Sequence, residues 1–445
     1  MIYPNVAKLS DNEIKLLCEE YRANNYIDPE VSEKLGVKRG LRNADGTGVL
    51  AGLTNICDVV GYDKQGDQII PADGKLIYRG YDLDDIIDTA IREDRFMFEE
   101  VAWLLLFGVF PNADQLKKFK TMIEERRELP EGFAETMIMN APSPNIMNKM
   151  ARSVLAMYSY DEKADDTSLE NVMKQSINLI AQMPTMMIYA YQTFRHAYEH
   201  KSLYFHYPKE GLSTAEHILD IYRQDQVYTH EEARLLDLCL LVHADHGGGN
   251  NSTFANRVLS STGTDTYSAI AGAICSLKGP KHGGANLKVM EQLDEILANV
   301  NDIYDDNEMK DYLVKIMRKQ AGDGSGLIYG IGHAVYTKSD PRCLILQKYS
   351  KDIAYDKGFR KEYDALMSIS RLAPEVFAQE KGQTKNVCAN VDLFSGLVYR
   401  ILGIDEVLFT PIFAIARVPG WCAHRMEEIE FSNRLMRPAY KYIGN

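Results

Sequence analysis

The stretch Ala233–Val242 is apolar at nearly every position, and it stops abruptly in His243-Ala-Asp-His246-Gly-Gly-Gly-Asn-Asn-Ser-Thr-Phe254. A helix that is apolar all round must be buried inside a large protein. His243 therefore stands at the end of a central helix, where glycines let the backbone approach a ligand closely. The segment Phe98–Phe107 has the same all-round apolar texture. A second glycine cluster, Lys278-Gly-Pro-Lys-His282-Gly-Gly-Ala-Asn286, closes the region. Three of the 10 histidines in 445 residues fall in these 44 positions. A lone histidine at a helix end is usually a cap; three beside glycine clusters point to chemistry.

Helix signals dominate elsewhere. Ser10-x-x-Glu13, Thr167-x-x-Glu170, Ser213-x-x-Glu216 and Thr229-x-x-Glu232 each read as a capping box. Strand signals are confined to 58–81, where Lys64-Gln-Gly66 and Ala72-Asp-Gly74 separate short apolar pieces and predict one or two small hairpins. The fold class is mostly α, with few short strands.

A formal charge of -13 argues against nucleic acid or an anionic membrane as a main partner, so any anion must be held by locally placed Arg and Lys. No uninterrupted apolar run approaches membrane-spanning length, and no leader pattern is expected at the start of the sequence. The seven cysteines are scattered, with no CxxC pair. This is the usage of reduced thiols, and a cytoplasmic protein is expected.

Several residues could carry chemistry. Asp392, in Asn390-Val-Asp-Leu-Phe-Ser-Gly396, precedes an apolar helical run, where the commoner job of an Asp is that of a helix N-cap. Arg417 follows the apolar Phe409–Ala416 and must be paired, either with a ligand carboxylate or with a structural acid. Arg437-Pro438 near the end could be solvated surface. His243, Asp245 and His246 also suit a metal, which would make the chain a metal-dependent hydrolase, although no second ligand cluster accompanies them. From Gln320 to Arg342 glycines recur, through Gly330-Ile331-Gly332-His333 to Asp340-Pro-Arg342, without a Walker or Rossmann spacing.

Taken in order, Tyr78-Arg-Gly-Tyr-Asp82, Asp245–Phe254, Gly279–Asn286, Gly330–Arg342, Asn390-Val-Asp392 and Arg437-Pro438 resemble the citrate synthase family along nearly the whole chain. The resemblance implies a large helical domain (1–283 and 401–445) and a smaller helical domain (284–400) that closes over the active site. It also implies a homodimer, with Arg437 entering the partner subunit's site. The implied reaction is a Claisen-type condensation of acetyl-CoA with oxaloacetate, followed by hydrolysis of citryl-CoA, with no metal or redox cofactor. By motif position, His282, His333 and Asp392 match the catalytic trio, and His246, His333, Arg342, Arg417 and Arg437 match the oxaloacetate site. Gly330, Ile331, Gly332 and Lys338 are the candidates for the acyl-CoA. Where relatives often carry a basic residue for a CoA phosphate this chain has Thr337, and Lys338 is the substitute. The stretch Gly263–Ile270 with Tyr336-Thr337 looks more like the 2-methylcitrate synthase branch, which uses propionyl-CoA.

Overall fold

The computed structural model describes residues 10–43, 45–65, 68–382, 386–432 and 434–443. The chain forms two units, 1–51 and 52–445. In the first, Ser10 and Glu13 close a capping box on the helix Asp11–Asn24, and Asp28 caps Pro29–Lys34 with Pro29 in its first turn. Neither helix buries any of its residues.

The second unit opens with the expected hairpin. Strand β1 (Cys57–Gln65) pairs antiparallel with β2 (Gln68–Tyr78), with a register shift between Val60 and Tyr62, and the short β3 (Tyr81–Asp82) continues the sheet. Everything else of size is helical. The helix Phe409–Glu427 runs through the middle, all but two of its 19 residues buried. Around it pack Phe98–Phe107, Leu169–Glu199, His230–His243, Asn251–Ser260 and Thr266–Leu277. The span Glu406–Ser432 is long and apolar enough to cross a membrane, yet 89% of its apolar window is buried inside the protein. It is a core helix.

Three of the four expected capping boxes form, at Ser10, Ser213 and Thr229. Thr167 does not take part: the helix Leu169–Glu199 has Ser168 at its N-cap, with no side-chain cap bond. The helix Phe98–Phe107 is capped from outside, since Asp237 accepts from the amides of Met97 (2.9 Å) and Phe98 (3.2 Å). That carboxylate anchors the helix ending at His243.

Five further helices, Ala285–Asn299, Asp306–Met317, Pro341–Asp356, Arg360–Lys381 and Asp392–Ile401, pack on one another. Pro341–Asp356 and Asp392–Ile401 also pack on His230–His243. Three helix ends thereby come together: the C-terminus at His243 and the N-termini at Arg342 and Asp392.

Candidate active site

His246 lies just past the end of the helix His230–His243. Its ring meets that of His333 edge-on at 5.1 Å, and His333 stacks on Tyr336 at 4.6 Å. Arg342 lies over the other part of this cluster, 5.7 Å from the Tyr336 ring. Burial, followed by the charges of Arg342 and Arg417, drives the His246 imidazole well below its ordinary pKa, so the ring is neutral. Its Nε2 is buried without a protein partner.

Backbone pairing sets the loop that carries His333. Ile331 bridges Ala389 in antiparallel fashion, Gly332 N–H donates to Cys388 O at 2.8 Å, and Asn390 N–H donates to Gly330 O at 2.8 Å. This short ladder places His333 beside the segment leading into Asp392. Gly330 is required here: its φ is +78°, and a Cβ would sit 2.9 Å from the Leu393 backbone. The Nδ1 of His333 accepts from the amides of Val335 (3.1 Å) and Tyr336 (2.9 Å). A backbone N–H can only donate, so the imidazole proton resides on Nε2.

The same argument fixes His282. Its Nε2 accepts from the amide of Ser252 at 3.2 Å, in the first turn of Asn251–Ser260. Nδ1 is left as the donor. Burial, with Arg417 next, lowers its pKa to about 4. The expected helix does begin just after it, at Ala285, but the hydrogen bond comes from a different helix, 30 residues back.

Asp392 is the first residue of its helix, with Val391 at the N-cap. The N-cap reading is therefore wrong: no capping bond is made by this carboxylate. Asn390 Oδ1 instead accepts the Asp392 amide at 2.9 Å. The Oδ1 of Asp392 is sealed from solvent without a protein partner, and burial raises its pKa to about 6 against the pull of Arg342 and Arg417.

Arg417 is fully buried in the central helix. Its Nε donates to His243 O at 2.6 Å, and its guanidinium lies 4.9 Å over Phe413, which also packs on the His243 ring. Both terminal nitrogens lack a protein partner, as does Nε2 of His243. An unmatched buried donor costs about 1–3 kcal/mol, so these groups are built to receive an anion. The charge of Arg417 acts on His243, His246, His282 and Asp392 alike. Burial first, then Arg342 and Arg417, lowers His243 to about 3.

The metal-hydrolase reading loses its ligand set. Asp245 is committed to His424 Nε2 (3.2 Å) and to the Gly247 amide (2.6 Å), which takes the carboxylate out of the set. Burial opposes ionisation of Asp245, but His424 prevails and holds it at about 2. Gly420 makes room for this carboxylate, since a Cβ there would lie 2.2 Å from Oδ2. Among the described residues no three His, Cys, Asp or Glu side chains are grouped to hold a metal.

Lys338 pairs with Asp73 on β2 at 2.7 Å, and Ser339 Oγ accepts from the Gly74 amide at 3.0 Å, so the hairpin braces the His333 loop. A cavity of about 610 Å³ opens beside Thr337, Lys338 and Asp340. Arg437 lies exposed on the C-terminal segment, where the neighbouring Met436 amide donates to Ser261 Oγ; no hydrogen bond or ion pair joins it to the cluster among the described residues. Sequence reasoning missed Ser252, Tyr336 and Asp340. Only Asp340 had a local signal, an Asp-Pro pair at a helix start.

Residues 42–439 match the family model for the citrate synthase C-terminal domain. The chain belongs to the citrate synthase family. It is 35% identical to a citrate synthase of Haloferax volcanii over 380 residues, 83% of this chain and 90% of that one. It is 33% identical to a 2-methylcitrate synthase of Shewanella oneidensis over 370 residues, 83% and 88% of the two chains. The fold is similar to that of the Thermoplasma acidophilum citrate synthase solved as a ternary complex with carboxymethyl coenzyme A and oxaloacetate, with a TM-score of 0.75, 26% identity, and coverage of 92% and 96%. Membership in this family makes the chain an enzyme of the acyltransferase type.

Proposed function

We propose that the chain condenses acetyl-CoA with oxaloacetate and hydrolyses the resulting citryl-CoA to citrate and CoA. The observation that carries this is Arg417, whose two unpartnered nitrogens sit amid neutral histidines and a high-pKa aspartate. A small dicarboxylate supplies the missing partners, from Arg417 and Arg342 to its carboxylates. Asp392 then removes a proton from the acyl methyl group, while Nδ1–H of His282 donates to the thioester oxygen as charge develops there. The new carbon–carbon bond forms at the ketone carbon. Nε2–H of His333 polarises and protonates the ketone oxygen, and water then displaces CoA from the thioester. A neutral His282 suits this role, because an imidazolium would compete with Arg417 for the same charge.

No cofactor beyond the acyl-CoA co-substrate enters this scheme. Gly330, Ile331, Gly332 and Lys338 are its proposed contacts, and opening and closing of 284–400 over the rest would exclude water. A two-fold homodimer in which Arg437 completes the partner subunit's site belongs to the same proposal. So does a reducing, cytoplasmic setting, supported by seven free cysteines of which five are buried. The similarity to a 2-methylcitrate synthase favours propionyl-CoA as a second acyl donor; one methylene is worth about 1–3 kcal/mol in an apolar pocket. Turnover of oxaloacetate with acetyl-CoA and propionyl-CoA in parallel, followed by thiol release, tests both. Thiol release with neither donor would refute the reading.

A further inference from the structure

The central helix grips the His282 loop at two points. Near its start, Thr410 Oγ1 donates to Gly283 O at 2.8 Å. About three turns later, Trp421 reaches Ser252, whose amide donates to His282 Nε2. Arg417 stands between the two on the same helix.

Trp421 is the largest of the fully buried side chains. Its indole Nε1–H donates to Ser252 Oγ at 3.2 Å, and its carbonyl accepts from Asn256 Nδ2 at 2.7 Å. Ser252 and Asn256 are one turn apart on Asn251–Ser260, so one residue holds the start of that helix by two bonds. An indole N–H can only donate, so it occupies a lone pair of the Ser252 hydroxyl and turns the hydroxyl's own hydrogen away. Two acceptors await that hydrogen, Asn250 Oδ1 at 2.9 Å and His282 Nε2 at 3.1 Å. A hydroxyl that accepts a hydrogen bond is also a stronger donor. His282 Nε2 is thus within reach of both the amide and the hydroxyl of Ser252, and the indole backs the hydroxyl.

We propose that Trp421 is a positioning residue for the condensation step. Through the Ser252 hydroxyl, its indole N–H keeps His282 oriented with Nδ1–H free for the acyl thioester. One helix thereby sets the spacing between Arg417 and this donor. The chemical consequence rests on the condensation reading; the relay of hydrogen bonds does not.

The test removes the N–H and nothing else. The chain has two tryptophans, Trp103 and Trp421. Among the described residues, Trp103 Nε1 has no hydrogen-bond partner. Biosynthetic replacement of both by 3-benzothienylalanine, which carries sulfur in place of the indole N–H, therefore deletes a single hydrogen bond and keeps the packing. With both substrates saturating, kcat should fall about five- to tenfold, the worth of one hydrogen bond, while the KM for oxaloacetate stays within about twofold of wild type. Ser252→Ala should lose at least as much, and the analogue placed in Ser252→Ala should cost nothing further, because the indole then has no partner. An unchanged kcat, independent losses that multiply, or a raised KM with kcat intact overturns the proposal. Magic-angle-spinning spectra of protein labelled with 15N in histidine read the relay without turnover. The unprotonated Nε2 of His282, assigned by its loss in His282→Gln, should move downfield in the analogue-substituted protein as its donor weakens. An unmoved resonance overturns the relay. A protein with no condensation activity would sink the functional reading alone, since the spectra still decide the relay.

Discussion

The carboxylate of Asp340 holds the guanidinium of Arg342 side-on, with Nε at 3.0 Å from Oδ1 and Nη2 at 2.7 Å from Oδ2. The same Oδ1 accepts the Arg342 amide at 3.0 Å, as the N-cap of the helix, with Pro341 in its first turn. Oδ2 also accepts the Val391 amide at 3.2 Å. One buried side chain therefore positions both the proposed substrate arginine and the backbone immediately before the proposed base.

Removing this carboxylate should act on both. In Asp340→Ala, Arg342 becomes a buried charge without a counter-ion, which costs about 3–5 kcal/mol. Urea unfolding should show a loss of that order. The KM for oxaloacetate should rise at least tenfold, because Arg342 is no longer aimed. A loss of only about 1 kcal/mol with a wild-type KM would show that Asp340 is a helix cap and nothing more.

Asp392→Asn keeps the shape of the side chain and cannot take a proton. General-base catalysis contributes about 10²–10⁴-fold, so kcat should fall by about three orders of magnitude. Oxaloacetate affinity, measured by calorimetry, should stay near wild type, because the proposed grip on the keto acid comes from arginines and histidines. Retention of more than a tenth of wild-type turnover would assign the proton transfer elsewhere.

The pH profile follows from the same group. Asp392 must be ionised to act, and burial holds its pKa at about 6. The plot of log kcat/KM against pH should be level above that value and fall with unit slope below it. His243 and His282, at about 3 and 4, add no limb between pH 5 and 8. For stability the sign is reversed relative to a salt-bridged acid. The folded-state pKa lies above the unfolded value of about 3.9, so stability from this site is full below the lower value and is lost as pH rises through 6. Asp392→Asn should therefore raise Tm at pH 8 and leave it unchanged at pH 3.

His282→Ala should lower condensation by about 10²–10³-fold, the usual effect of removing an oxyanion donor. Circular dichroism should report an intact fold. An unchanged condensation rate would remove His282 from the chemistry, whatever its hydrogen bond to Ser252.

What the sequence discloses here is local, and what it hides is long-range. The boxes at Ser213 and Thr229 depend on residues three apart, so spacing alone finds them. The box at Thr167 fails by one residue: Asp166 takes the Ser168 amide at 2.9 Å and the helix starts later. The same one-residue uncertainty misplaces Asp392 as a cap, when its position inside the helix is what leaves the carboxylate unspent. The tautomer of His282 depends on Ser252, and the bracing of the His333 loop depends on Asp73 and Lys75, more than 250 residues earlier. No periodicity carries such information. The family motifs supplied the identities of His282, His333 and Asp392, but not the hydrogen bonds that leave one donor on each histidine or the burial that raises the aspartate.

Arg437 poses the remaining question, because within one chain it is exposed and, among the described residues, unconnected to the site it is proposed to serve. A C2 dimer makes such a donation reciprocal, so each site would combine Arg417 of one subunit with Arg437 of the partner subunit. Complementation reads this directly. Arg417→Met and Arg437→Ala homodimers should each be nearly inactive, since each leaves a substrate carboxylate poorly paired. Unfolded and refolded together, the two variants form mixed dimers. In a mixed dimer one site then carries both lesions and the other carries neither. With random pairing, about half of the dimers are mixed, so about a quarter of all sites should regain activity. If both arginines came from the same chain, every site would keep one lesion. Subunit exchange verified by mass, with no activity above that of the unmixed variants, would place Arg437 outside the shared site.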